Sequence, residues 1–121
     1  LEKFGLTAYG CCENLTGGIP YLRRIQNLRR IAVSPFADLR KCAEQIGRDY
    51  ILSWRPNPSL MLATGLDDDF VRQYMRENFA VLKECGSFFD ITLKDVETVS
   101  HRPENIRRWT EIVREEIARC F

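Results

Sequence analysis

The residues of this chain best suited to chemistry stand together near its start, in Tyr9-Gly10-Cys11-Cys12-Glu13. Two thiols and a carboxylate follow a short apolar stretch and precede a glycine-containing turn that opens a helical pattern. A thiolate can act as a nucleophile or as a metal ligand, and a carboxylate can move a proton or complete a metal site. The segment predicts a strand that ends at a reactive site, with Cys11, Cys12 and Glu13 its most reactive members.

Three interpretations of the Cys11-Cys12 pair stay open. Neighbouring residues of a strand point to opposite faces, so both thiols face one ligand only if the strand has already ended, and a disulfide between them would be strained. With Glu13 and a distant carboxylate such as Asp95 or Glu97, the thiols could hold Zn²⁺, which accepts sulfur and oxygen ligands together. Otherwise one thiol lies unliganded in a pocket, or the pair is packed as part of the structure.

The remaining cysteines and the single histidine indicate structural roles. Cys42, Cys85 and Cys120 fall on the apolar faces of predicted helices, where we expect buried, reduced thiols. His101 stands at a predicted helix start, which favours a capping or solvent-facing position. It is a poorer candidate ligand, and it gives no basis for a Ser-His-Asp triad. Gly17-Gly18 lacks the further glycines and the lysine of a phosphate-binding loop.

Length and charge limit the classes of function. The chain has 121 residues, enough for one domain with a hydrophobic core. Its 18 basic and 17 acidic side chains nearly balance, which disfavours binding to nucleic acid or to an anionic membrane. No apolar stretch approaches the ~20 residues that span a bilayer, and no signal segment opens the chain. We therefore expect a soluble, cytoplasmic protein.

Four segments repeat one layout, in which an apolar run is followed by polar residues and then by a helical pattern. The predicted strands are Leu6 to Tyr9, Arg30 to Ser34, Tyr50 to Trp54 and Phe88 to Leu93. The predicted helix starts are Ile19, a cap at Ser34-Pro35, a cap in Asp67-Asp68-Asp69, and Pro103-Glu104. Strands that alternate with helices predict right-handed βαβ units, so we expect an α/β fold with four parallel strands in sequential order.

The ligands of such sheets meet the carboxyl ends of the strands. The polar residues at these ends give our candidate site. The catalytic candidates are Glu13, Arg55, Asn57 and Asp95; the cofactor-binding candidates are Ser34, Ser53 and Thr98; the metal-ligand candidates are Cys11 and Cys12.

A resemblance to a known family adds to this interpretation. It is carried by Gly10-Cys11-Cys12-Glu13-Asn14, by Asn27-Leu28-Arg29-Arg30-Ile31-Ala32-Val33-Ser34, by Asn57-Pro58-Ser59-Leu60 and by Pro103-Glu104-Asn105-Ile106. Together these motifs resemble the C-terminal part of the uroporphyrinogen decarboxylase superfamily, across nearly the whole chain. That superfamily includes the cobalamin-dependent methyltransferases, and its fold is a (β/α)₈ TIM barrel. The resemblance implies that residues 1–121 form a single domain, the C-terminal half of a barrel, with four βα units of eight.

Within the superfamily the resemblance favours a corrinoid-linked methyltransferase-like domain. It implies a zinc-bound or activated thiol that handles methyl transfer between a corrinoid, or a corrinoid protein, and a small methyl donor or acceptor. The branch carries His-x-Cys after its matching strand, where this chain has Tyr9-Gly10-Cys11 or Gly10-Cys11-Cys12 and no histidine. The branch has a further cysteine near its last strand, and this chain has Asp95 at that place.

Two alternatives remain. One is uroporphyrinogen decarboxylase itself, a lyase that needs no metal, although Lys94-Asp95-Val96 stands where that branch has Gly-His-Gly. The other is a non-catalytic corrinoid-binding or assembly module.

Half a barrel also implies a partner. Four strands alone leave two open edges, and we predict that Ile31, Val33, Ile51 or Leu52, and Ile91 or Leu93 face the barrel interior. The missing N-terminal half or a second copy would cover this surface, so we expect a homodimer of the isolated chain. The fragment alone is expected to be inactive.

Overall fold

Strands and helices alternate in the computed structural model, which describes residues 3–10, 14–58, 66–93 and 102–121. The strands are β1 (Thr7–Tyr9), β2 (Leu28–Val33), β3 (Ile51–Trp54) and β4 (Phe88–Ile91). The helices are α1 (Ile19–Leu22), α2 (Leu39–Ile46), α3 (Asp68–Glu84) and α4 (Glu104–Cys120). The predicted alternation is confirmed, with boundaries that differ by a few residues.

The four strands form one parallel sheet in the order β1-β2-β3-β4. Ala32 is aligned with Ser53, and Ser53 with Asp90, so the three lie in a row across the sheet. The predicted parallel, sequential order is confirmed. An α/β fold with such a sheet and four helices is compatible with half a barrel.

One face of the sheet carries the hydrophobic core. Ile31 and Val33 on β2, with Leu52 and Trp54 on β3, are buried in one cluster with side chains from all four helices. Our prediction that Ile31 and Val33 face a barrel interior is therefore wrong. The amphipathic helices shield these side chains from water, which an uncovered sheet face would not do.

Polar residues lie on the other side of the sheet. Successive side chains of a strand alternate between faces, so Arg30, Ala32, Ser53 and Asp90 lie opposite the core. We call this side the open face, because the core cluster with the four described helices lies on the reverse side.

Side-chain caps fix the starts of two helices. The Asp67 carboxylate accepts hydrogen bonds from the backbone N–H groups of Asp69 (3.0 Å) and Phe70 (3.2 Å), which confirms the capping role predicted for the acidic triplet. At α2 the cap is Asp38, whose carboxylate accepts from Lys41 N–H (3.0 Å). The predicted cap at Ser34-Pro35 is wrong, because the chain makes a turn after β2 before α2 begins.

Two glycines end helices in conformations that other residues rarely adopt. Gly47 follows α2 with φ +56°, and Gly86 follows α3 with φ +65°. Positive φ costs glycine little because it has no Cβ.

The helices α3 and α4 are joined by a buried ion cluster. Glu116 is fully buried, and its carboxylate accepts from Arg72 Nη1 (3.0 Å) and from Arg76 Nε (2.8 Å). Hydrogen bonds from Arg76, and then from Arg72, hold the pKa of Glu116 below its usual range. These ion pairs hold α3 and α4 against each other on the core side of the sheet.

Not every apolar side chain of these helices is buried. Phe70 on α3 and Ile106 on α4 are 44% and 40% exposed, whereas Phe79 on α3 is fully buried. Among the described residues, no helix combines the length and apolarity that a membrane crossing requires.

Three cysteines of the described residues carry free thiols. Cys42 is buried, as predicted, whereas Cys85 and Cys120 are only partly covered. Burial raises the pKa of Cys42 and that of Cys85 above the ordinary thiol value. The raised pKa values of Cys42 and Cys85 disfavour the reactive thiolate form, consistent with structural roles for these two thiols.

Candidate functional site

A polar triad crosses the open face. The Arg30 guanidinium on β2 donates from Nη2 to Asp90 Oδ1 on β4 (2.7 Å) and to Ser53 Oγ on β3 (2.8 Å). The Ser53 hydroxyl, which is 1% exposed, donates in turn to Asp90 Oδ1 (2.8 Å). Each of the three side chains is hydrogen bonded to the other two, so their positions across β2, β3 and β4 are fixed relative to one another.

Arg55 adds a second guanidinium beside this triad. Its backbone N–H donates to Val33 O (3.0 Å) and so continues the β2–β3 ladder by one residue. A Cβ on Gly10 would lie 3.4 Å from Arg55 Nη2 and 3.8 Å from the Ala32 methyl carbon. Gly10 therefore forms the pocket wall next to the guanidinium, and a Cβ there would be in van der Waals contact with it.

Both arginines keep hydrogen-bonding capacity. Arg55 Nε and Arg30 Nε are buried and have no hydrogen-bond partner among the described residues. Arg30 is neutralised by Asp90, whereas no described carboxylate pairs with Arg55. A buried donor without a partner is costly, and none of the described residues offsets this cost for the two Nε groups.

The arginines line a cavity of about 200 Å³ that we call the arginine pocket. Its walls are Ala8, Tyr9, Gly10, Arg30, Ala32, Ser53 and Arg55. It lies on the open face toward the carboxyl ends of β1, β2 and β3, where α/β sheets bind ligands. Its lining thus combines small residues, such as Ala8, Gly10 and Ala32, with the guanidinium groups of Arg30 and Arg55.

The structure brings together two of the predicted site residues, Ser53 and Arg55. Ser34 lies directly after β2 but is buried, and its Oγ accepts from Phe36 N–H (3.3 Å) in the turn toward α2. The Asn57 backbone is hydrogen bonded to the Tyr74 hydroxyl, whose pKa is raised by burial. Neither Ser34 nor Asn57 lines the arginine pocket.

The other predicted site residues lie outside the described part of the chain. These are Cys11, Cys12, Glu13, Asp95 and Thr98, together with the outlying candidate His101. Within the described residues there is no group of three side chains that could hold a metal ion. The pocket wall is cationic and does not fit a divalent cation, so we derive no chemical step through zinc. Zinc binding by the two thiols stays a prediction.

Sequence reasoning missed Arg30 and Asp90 as site residues. Both stood inside predicted strands, where a charged residue alternates with apolar neighbours. That alternation is the available signal, because it places the charge on the face opposite the core. Their pairing across 60 residues has no local signature.

A second cavity of about 310 Å³ lies between β4 and α4 and is lined by residues of both. Its walls are mostly apolar and comprise Phe89, Asp90, Ile91, Trp109, Thr110, Val113, Arg114 and Ile117. We call it the β4–α4 groove. It lies at an outer strand of the described sheet and has few groups suited to catalysis.

Comparison with known proteins gives no relative for this chain: no family model, no curated protein and no solved structure matches it.

Proposed function

We propose that this chain contributes part of the active site of a corrinoid-linked methyltransferase-like domain of the uroporphyrinogen decarboxylase superfamily. The observation that supports it best is the arginine pocket, which lies at the carboxyl side of a sequentially ordered parallel sheet. In barrels built from such units, active sites lie at the carboxyl ends of the strands.

The pocket residues have distinct parts in this proposal. Arg55 orients the small methyl donor or acceptor, and Ser53 offers a hydroxyl held in place by Arg30 and Asp90. Cys11 follows Gly10, a pocket residue, directly in the sequence. The thiols of Cys11 and Cys12 are the nucleophilic groups of the site, and a bound corrinoid would supply the methyl carrier.

A spectroscopic titration tests the proposal. Aquacobalamin and methylcobalamin are titrated into the purified chain and the corrinoid absorbance is followed. We expect a saturable spectral change, which would show that the chain binds a corrinoid. Arg114→Lys, an exposed change on α4, should leave the titration unaltered. Absence of any change up to millimolar corrinoid contradicts the proposal.

The decarboxylase alternative is favoured by one observation, the presence of two guanidinium groups in one pocket. Arginine pairs well with carboxylates, which porphyrinogens carry. Release of CO₂ from a carboxylated porphyrinogen, without corrinoid binding, would select this alternative. Corrinoid binding with no methyl transfer even when the missing N-terminal half is supplied would select the non-catalytic module.

A further inference from the structure

The charge in the arginine pocket matches a ligand with one negative charge. Arg30 and Asp90 form an ion pair at 2.7 Å and cancel each other, which leaves the charge of Arg55. A phosphate dianion would face one free guanidinium and the nearby Asp90 carboxylate. A monoanion balances the described charges without an excess of either sign.

The donor geometry matches a planar anion. A guanidinium presents its N–H groups as a flat fork that fits the two oxygens of a carboxylate. Arg55 Nε is buried without a partner, and its Nη2 lies beside the backbone of Gly10. A carboxylate in the pocket would pair end-on with the Nη groups of Arg55, because the buried Nε lies out of reach of a ligand.

The size of the pocket sets the class of ligand. A volume of about 200 Å³ with Ala8, Gly10 and Ala32 among its walls admits a small organic acid or one acidic arm of a larger molecule. The Ser53 hydroxyl already donates to Asp90, so the N–H groups of the arginines are the donors left for an anion. Bulky polyanions do not fit the cavity as it stands.

We infer that the arginine pocket binds a single carboxylate group of the small methyl donor or acceptor, with Arg55 as the principal ligand and Arg30 beside it. The role of this carboxylate in a reaction rests on the proposed function, whereas its binding does not.

NMR of the ¹⁵N-labelled chain tests the inference, with acetate as the probe and chloride at matched ionic strength as the reference. Arginine Nε–Hε signals report directly on guanidinium contacts, and Arg55→Lys identifies the signal of Arg55 by its loss. We expect acetate to shift that signal in a saturable manner. The shift of Arg114, an exposed arginine of α4, should follow ionic strength alone.

Two variants separate the contact from general charge. In Arg55→Lys, which keeps the charge but loses the fork, acetate affinity measured through backbone signals of Ala32 and Ser53 should fall about tenfold. In Gly10→Val the same signals should stop responding, because the pocket is filled. Arg114→Lys should bind acetate as the wild type does.

Three results overturn the inference: no saturable shift at Arg55, unchanged affinity in Arg55→Lys, or phosphate binding tenfold more tightly than acetate. The corrinoid titration is independent of this experiment. Acetate binding without corrinoid binding removes the methyltransferase proposal and leaves the carboxylate site, and the reverse result removes only the carboxylate site.

Discussion

Arg30 on β2 and Asp90 on β4 meet across the intervening strand β3, with 2.7 Å between Nη2 and Oδ1, although 60 residues separate them in sequence. The bridge passes over Ser53, whose buried hydroxyl donates to the same carboxylate oxygen. One ion pair thus links three strands and determines how the arginine pocket is charged.

Removing the carboxylate of this bridge should destabilise the fold modestly. Both charged side chains are 41% exposed, so water replaces much of the lost interaction, but the buried Ser53 hydroxyl loses its acceptor. We expect Asp90→Ala to lower the free energy of unfolding by about 1–2 kcal/mol, measured by urea denaturation.

The matched control for this change is Asp49→Ala. Asp49 pairs with Arg23 at 2.9 Å, but its side chain is 66% exposed. An ion pair of this kind contributes about 0–1 kcal/mol. If both variants lose the same free energy of unfolding, the Arg30–Asp90 ion pair stabilises the sheet no more than a surface ion pair does.

The buried Glu116 predicts a stability that depends on pH. Hydrogen bonds from Arg76 and Arg72 lower the pKa of Glu116 in the folded chain, whereas an unfolded glutamate has a pKa of about 4.3. The stabilisation is fully present above the unfolded pKa and is lost as the pH falls through the lower, folded pKa. We expect Glu116→Gln to cost about 2 kcal/mol at pH 7 and much less at pH 3.

Urea denaturation at both pH values checks this prediction. Glu111→Gln is the control on the same helix, since Glu111 is half exposed and pairs with Arg107 and Arg108 at the surface. Its cost should stay below about 1 kcal/mol at either pH. A Glu116→Gln penalty that does not shrink in acid would show that packing, not charge, accounts for its effect.

The order of strands and helices was predictable because each apolar run is local, and its period of two or of 3.6 residues is visible in sequence. The burial of Glu116 was not predictable, because a glutamate next to Val113 and Ile117 in a helical pattern normally lies at the solvent-exposed border of the apolar face. Its partners Arg72 and Arg76 lie 44 and 40 residues away. Arg55 was predictable from its place after β3, whereas the Arg30–Asp90 bridge depends on strand register.

The start of a helix also depends on tertiary structure and is not determined by the local sequence alone. Ser34-Pro35 has a good capping sequence, yet Asp38 caps α2. The choice depends on where the chain leaves β2, and several nearby residues satisfy the local rule equally well.

Zinc content should depend on the first cysteine pair. If zinc binds, Cys11 or Cys12 supplies a sulfur ligand, with Glu13 or Asp95 as the favoured oxygen partner. Metal analysis of the reduced protein should show zinc in the wild type and a loss of most of it when both thiols are changed to serine. Cys120→Ser, at a partly exposed free thiol on α4, is the control and should retain the metal. A double variant with full zinc content would remove Cys11 and Cys12 as ligands.

The outer strands of the sheet predict self-association. In the described sheet β1 and β4 each pair with one neighbour only, and the apolar β4–α4 groove lies beside the outer edge of β4. Two copies related by a two-fold axis along the strands would pair β4 of each with β1 of the other. We expect sedimentation equilibrium at micromolar concentration to give a homodimer.

A pair of phenylalanines on the surface provides the sharpest test of this interface. Phe88 opens β4 and is 47% exposed, whereas Phe36 is 61% exposed in the turn between β2 and α2. Burial of one such ring in an interface is worth about 1.5 kcal/mol, or roughly tenfold in the dimer dissociation constant. Phe88→Ser should therefore weaken the dimer about tenfold and Phe36→Ser should not. A wild-type chain that stays monomeric would mean that the outer strands need no second copy, and equal weakening by both changes would place the interface elsewhere.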